Sequence, residues 1–111
     1  MEVRTANKED IPQILQLYRH LNLDDADIEI EDAYKRWELL QLYTGSQIYV
    51  GSLSDLIIAT CTLIVIPNLT RGGAPYALIE NVVTNAAYRK QGYGKMVLKK
   101  AIAAAWQAKC I

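Results

Sequence analysis

Cysteine is scarce in this chain of 111 residues, which contains only Cys61 and Cys110. Two cysteines so far apart are too few for a zinc cluster or a disulfide framework. We therefore predict no metal site and expect the reduced thiols of a cytoplasmic protein. The N-terminus lacks the basic-then-apolar order of a signal peptide. The longest apolar run, residues 56–66, is about half as long as a membrane-spanning helix requires. We expect no association with a membrane.

The chain has no excess of charge of either sign, with 12 basic and 12 acidic residues. Its length fits one domain, residues 1–111, that is large enough to bury a core. The two halves differ in charge, however. Residues 1–56 contain eleven acids and five bases, whereas residues 57–111 contain seven bases and one acid, Glu80. The C-terminal half is therefore suited to an anionic ligand.

Hydrophobic periodicity predicts elements in the order β-α-α-β-β-β-α, which is typical of an α+β or α/β layered fold. The predicted elements are a strand at residues 2–5, helices at 11–21 and 31–43, strands at 48–53, 56–66 and 76–84, and a long helix at 92–109. Alanines interrupt the charge of the basic last helix, and no aromatic residues alternate with its lysines. We therefore expect no nucleic-acid partner.

The most informative segment lies between the last predicted strand and the last predicted helix. This segment, the glycine loop, reads Arg89-Lys90-Gln91-Gly92-Tyr93-Gly94-Lys95. Gly92 and Gly94 allow the backbone to approach a ligand closely. The first N–H groups of a helix are unpaired and lie at the positive end of its dipole, so they favour a pyrophosphate. Arg89, Lys90 and Lys95 add positive charge.

Two common phosphate-binding motifs do not fit this loop. A Walker A loop requires Ser or Thr after Gly94-Lys95, but Met96 stands there. A dinucleotide-binding loop requires a third glycine where Val97 stands, and an acid about 20 residues further on. The pattern that remains is Arg/Gln-x-x-Gly-x-Gly/Ala. The plain alternative is a Gly-Tyr-Gly turn that only caps a helix.

The pattern Arg89-x-x-Gly92-x-Gly94 follows Tyr88 and the strand Ile79-Glu80-Asn81-Val82-Val83-Thr84. Together with the order of the predicted elements, it resembles the GCN5-related N-acetyltransferase (GNAT) family over the whole chain. The resemblance implies a GNAT-like fold and transfer of an acetyl group from acetyl-CoA to an amine acceptor. It also implies the residues that bind acetyl-CoA, which are Val82, Val83, Thr84, Arg89, Lys90, Gln91, Gly92, Tyr93, Gly94 and Lys95.

Within this resemblance, the amides of the glycine loop hold the pyrophosphate of coenzyme A. The backbone of residues 82–84 pairs with the pantetheine arm like an added strand, and an N–H at a bulge polarises the thioester carbonyl. Glu80 is the candidate catalytic base, acting through a water. Asn81 should face the opposite side of the strand from Glu80 unless a bulge intervenes. His20, a lone histidine near a helix end, is expected to be solvated.

The chain ends at Ile111, before the fifth strand of the family fold and before the tyrosine that usually protonates the departing thiolate. The fold is therefore expected to be incomplete at its C-terminus. The strand edge at residues 79–83 would then be apolar and unpaired. We expect a homodimer or an element-swapped dimer to cover it, unless the chain is a truncated product. The alternative function is that of a non-catalytic relative that binds CoA or a partner chain without turnover.

Overall fold

The computed structural model describes residues 1–24 and 26–110. Within these residues the chain forms four strands and three α-helices in the predicted order, which confirms the predicted α+β layered fold class. Their bounds are β1 Glu2–Thr5, α1 Ile11–Tyr18, α2 Ile30–Gln41, β2 Gln47–Leu53, β3 Leu56–Ile66, β4 Tyr76–Thr84 and α3 Tyr93–Gln107. The strands form one antiparallel sheet in the order β1-β2-β3-β4.

The sheet separates two apolar clusters because side chains alternate between its faces. On one face, Cys61 and Leu63 of β3 pack with Val97 and Ala101 of α3. On the other face, α1 and α2 cover a cluster that includes Val50 of β2. The eleven-residue strand β3 contributes to both layers, and this is why it is an almost continuous apolar run.

Both cysteines are free and buried. The Sγ of Cys61 donates to the carbonyl oxygen of Val97 at 3.8 Å. Burial raises the pKa of the Cys61 thiol to about 11, so the group stays protonated at neutral pH. Cys61 is therefore a packing residue beneath α3.

A nearly buried ion pair fixes the first helix to the first strand. The two terminal nitrogens of Arg4 on β1 donate to the carboxylate oxygens of Asp10 at 2.6 and 2.9 Å. The backbone N–H of Asn7 also donates to Asp10, at 2.8 Å. The hydrogen bonds from Arg4 hold the pKa of the Asp10 carboxyl below its usual value, although burial acts in the opposite direction. The pair therefore sets where α1 begins on the sheet.

We predict that Asp10→Ala lowers the free energy of unfolding by about 2 kcal/mol at neutral pH, because it leaves Arg4 without its bidentate partner. The pKa of Asp10 is lowered in the folded state. Its contribution is therefore complete above the unfolded-state pKa of about 4 and is lost as the pH falls through the folded-state value. Urea unfolding at several pH values measures both effects. Glu9→Ala, which removes the exposed neighbouring carboxylate, is the control; an equal loss in Glu9→Ala would contradict the assignment.

Candidate functional site

A β-bulge interrupts β4 where the sequence predicts the catalytic strand. Thr60 of β3 pairs with Val83 and Thr62 pairs with Glu80, so two residues of β4 stand opposite Cys61 alone. The first of the two, Asn81, has a φ of +54°, a conformation that asparagine tolerates better than most residues. The bulge changes which way the following side chains point. We expected Asn81 to face the opposite side of the strand from Glu80 unless a bulge intervenes, and the bulge includes Asn81 itself.

The bulge places Glu80 and Val83 on the same face of the sheet. Ala77 and Ile79 pack with the α3 cluster, so Glu80 faces the side of α1 and α2. Val83 packs in the cluster on that same side. Without the extra residue, positions 80 and 83 would point to opposite faces. The Glu80 side chain is exposed there, as a base that meets a substrate must be.

Glu80 lies beside a polar residue of the neighbouring strand. Thr62 is its partner on β3, and directly opposed residues of an antiparallel pair lie side by side on one face. The side chain of Tyr18 on α1 lies near that of Thr62. Burial raises the pKa of Tyr18, and the interaction with Thr62 partly offsets this. The phenol therefore stays neutral near Glu80.

An open cavity of about 600 Å³ extends from Tyr18 along the outer side of α1. Its lining includes Leu15, Arg19, Asp27 and Ile28. Arg19 and Asp27 form an exposed ion pair across it. Among the lining residues, Tyr18 is the one whose side chain interacts with Thr62, the partner of Glu80 on β3.

The glycine loop turns sharply before α3. Lys90 has a φ of +66° and Gly92 a φ of +84°, so the chain visits the left-handed region twice within three residues. The first α-helical hydrogen bond runs from the N–H of Met96 to the carbonyl oxygen of Gly92, at 3.1 Å. The N–H groups of residues 93–95 precede it and have no carbonyl one turn earlier in the helix. They point out of the helix end, where an anion is favoured.

The start of α3 rests directly on the end of β4. A Cβ atom on Gly94 would lie 2.6 Å from the Oγ1 of Thr84, which is closer than real Cβ atoms approach another heavy atom. Any larger residue at position 94 would therefore force the Thr84 side chain or the start of α3 to shift. A Cβ atom on Gly92 would meet open space. The role of glycine at this position is therefore to adopt the positive φ that the turn requires. The two glycines of the motif thus perform different tasks.

The structure brings together all the residues predicted to bind acetyl-CoA, but their side chains differ in environment. Val83 is buried and Val82 is 41% exposed. The ring of Tyr93 lies against that of Tyr88, with centroids 6.5 Å apart. The side chains of Lys90, Gln91 and Lys95 are exposed around the loop. Any contact of these residues with a ligand stays a prediction.

The Arg89 side chain is exposed, but its guanidinium donates to two backbone carbonyl oxygens, which its place in the motif did not indicate. Its Nε donates to the carbonyl oxygen of Thr84 at 3.2 Å, and one terminal nitrogen donates to the carbonyl oxygen of His20 at 2.9 Å. His20 is exposed as expected, but its Nδ1 also accepts a hydrogen bond from the N–H of Ala86, at 3.1 Å. Sequence reasoning missed this contact because 66 residues separate its partners.

Residues 1–24 and 26–110 contain no group of three or more His, Cys, Asp or Glu side chains placed to hold a metal ion. No helix in this part of the chain combines the length and the hydropathy that a membrane-spanning helix requires.

We predict that Gly94→Ala lowers the free energy of unfolding by about 1 kcal/mol, since overpacking at Thr84 exceeds the gain in helix propensity. In a Thr84→Ala background the obstructing oxygen is gone, so the same substitution should become neutral or stabilising. Thr84→Ser keeps the oxygen and is the matched control. Urea unfolding of the six chains measures the coupling. An equal effect of Gly94→Ala in all three backgrounds would contradict the contact.

Known proteins are similar to this chain in sequence and in fold. The acetyltransferase (GNAT) family model matches residues 11–111. A protein of Agrobacterium tumefaciens str. C58 that is inferred to be an acetyltransferase has a solved structure with a TM-score of 0.90 and 39% sequence identity. The match covers 99% of this chain and 76% of that one.

More distant structures show the same fold. Glucosamine-6-phosphate N-acetyltransferase from Arabidopsis thaliana has a TM-score of 0.86 at 21% identity, covering 98% of this chain and 76% of that one. An acetyltransferase of Clostridium acetobutylicum, assigned by prediction and solved with acetyl-CoA, has a TM-score of 0.79 at 17% identity, covering 99% and 76%. With its sequence pattern, its fold and its family match in agreement, this chain belongs to the GNAT family of acetyltransferases, which transfer an acyl group from an acyl-CoA to an amine.

Proposed function

We propose that this protein transfers an acetyl group from acetyl-CoA to an amine acceptor. One observation carries the proposal: the Thr84–Gly94 contact joins the bulged end of β4 to the N-terminus of α3. A strand end with a free edge and a helix end with free amides are then adjacent. These are the two backbone surfaces that a thioester on a pantetheine–pyrophosphate carrier would require.

The donor half of the site consists mainly of backbone. Amides of the glycine loop would bind the pyrophosphate, with Lys90 and Lys95 close enough to add charge. Within residues 1–24 and 26–110, β4 pairs with β3 alone, so its outer edge is open to the pantetheine arm. An amide at the bulge would donate to the thioester oxygen as negative charge develops on it. Arg89 contributes by holding the loop in place.

The acceptor half lies on the face of the sheet covered by α1 and α2. An amine entering along the cavity beside Tyr18 would arrive next to Thr62 and Glu80. A lysine-like amine has a pKa of about 10.4 and is mostly protonated at neutral pH. Glu80 would take that proton, directly or through a water held by the Thr62 hydroxyl.

The chemical step needs no group beyond these. The nitrogen lone pair attacks the thioester carbonyl carbon, the new C–N bond forms, and the C–S bond breaks. The thiolate leaves with both electrons of that bond and takes up the second proton, which the nitrogen loses once the C–N bond has formed, while Glu80 carries the first proton lost by the amine. A free thiol has a pKa near 8.5, so the thiolate is a tolerable leaving group.

We also propose that the protein is cytoplasmic, because Cys61 and Cys110 are free thiols, as is usual for cysteines in that compartment.

Along the open edge of β4, Tyr76, Leu78 and Val82 are each between 41% and 45% exposed. An apolar edge of this kind invites another strand. We propose that a second copy of the chain pairs with it or exchanges an element there.

We predict that Glu80→Gln lowers the rate of thiol release from acetyl-CoA in the presence of a suitable amine by about 10²- to 10⁴-fold. The amide has the same shape but cannot accept the proton at neutral pH. Affinity for CoA, measured by titration calorimetry, should be unchanged. Glu38→Gln, which alters an exposed carboxylate on α2, is the control.

The same assays separate the candidate functions. CoA binding without thiol release for any amine in a broad panel would identify a non-catalytic relative. Thiol release by Glu80→Gln at the wild-type rate would contradict the role of Glu80.

We predict that sedimentation velocity at micromolar concentration shows a dimer. Replacing Leu78 on the open edge with lysine should shift the distribution to monomer, because edge lysines oppose strand pairing. A wild-type chain that sediments as a stable monomer would contradict the proposed assembly.

A further inference from the structure

Two hydrogen bonds join the end of α1 to the turn that precedes the glycine loop. The N–H of Ala86 donates to Nδ1 of His20 at 3.1 Å, and the Arg89 guanidinium donates to the carbonyl oxygen of His20 at 2.9 Å. One residue thus accepts through both its side chain and its backbone. We call this set of contacts between His20, Ala86 and Arg89 the His20 clamp.

The Arg89 half of the clamp satisfies a helix terminus. α1 ends at Tyr18, and the carbonyls just beyond a helix end have no partner within the helix. A cation is also favoured at the negative end of the helix dipole. The same guanidinium donates to the carbonyl oxygen of Thr84, at 3.2 Å. Arg89 therefore links the end of α1 to the end of β4.

The His20 half of the clamp fixes the turn itself. Residues Ala86–Tyr88 form a single 3-10 turn, and the side chain of Asn85 accepts a hydrogen bond from the N–H of Ala87. The Ala86 N–H is the first amide of that turn and has no partner within it. Nδ1 of His20 supplies the acceptor. The turn is thereby attached to α1 before the chain enters the left-handed residues of the glycine loop.

We propose that His20 is a positioning residue for the CoA-binding loop and makes the geometry of that loop depend on α1. This inference rests on the proposed function, because it takes the glycine loop as the donor site. His20 touches no reacting atom. It acts through Ala86 and Arg89, which set where the loop leaves the sheet. Tyr18, two residues earlier on α1, faces the proposed acceptor side, so one short segment contacts both halves of the site.

The test is titration calorimetry with CoA on the full chain. His20→Ala removes the acceptor for the Ala86 N–H and should weaken CoA binding about three- to tenfold, the range expected for one lost hydrogen bond. His20→Asn should bind CoA within about twofold of wild type, since its Oδ1 stands where Nδ1 stands and can accept the same bond. Unfolding in urea checks that each variant is folded.

Two further variants make the test specific. Leu21→Ala truncates the neighbouring side chain, which is 51% exposed, and should leave CoA affinity unchanged. Ala86→Pro removes the donor from the other side of the bond. Proline is compatible with the first position of a helical turn, and Asn85 before it is extended. In the His20→Ala background, Ala86→Pro should therefore change CoA affinity no further.

Each outcome decides between distinct claims. Weaker binding in His20→Ala with recovery in His20→Asn supports the clamp. Equal affinity in wild type and His20→Ala, or no recovery in His20→Asn, overturns it. If wild type binds no CoA, the proposed function fails. The clamp is then judged by hydrogen exchange at the Ala86 amide, which should be faster in His20→Ala than in wild type and slowed again in His20→Asn. Equal exchange in the three chains would overturn the clamp.

Discussion

The proposed site depends on the close contact of α3 with the last residue of β4. Gly94 can lie against the Oγ1 of Thr84 only because it has no side chain. That approach places the first amides of a fifteen-residue helix beside a strand that is already bulged. Were the helix displaced outward by the width of a methyl group, the free amides and the open strand edge would no longer serve one ligand. The pairing of β4 with β3 and the packing of α3 on the sheet hold the two sides of this contact in place.

The two halves of the proposed site are built in different ways. Donor recognition relies on backbone groups of β4 and the glycine loop, so the identities of most side chains there matter little. The acceptor side depends on individual side chains, namely Glu80, Thr62 and Tyr18. This division explains why the sequence indicates a thioester carrier but not the amine. Part of the wall of the cavity is formed by residues 26–28, in a segment where the sequence follows no recognisable pattern.

Much of the fold could be predicted because its signals are local. The apolar run of β3 and the periodicity of α3 each indicate one element, and the order of elements was correct. Boundaries were less accurate. Periodicity predicted that the first helix ends at Leu21, but it ends at Tyr18, because residues 19–21 donate their hydrogen bonds to the carbonyl three residues earlier and not four. That Glu80 and Val83 share one face of the sheet could not be predicted, since this depends on the bulge at residues 81–82. The contacts of His20 and Arg89 join segments that lie far apart in the chain.

The central claim is that backbone amides at the start of α3, together with the end of β4, bind the carrier of the acyl group. Backbone amide NMR during a titration with CoA tests it most directly. The account predicts that the largest chemical-shift changes fall on residues 91–95 and 82–84, with smaller changes in α2. Saturable binding that leaves those amides unmoved and shifts another surface would contradict it.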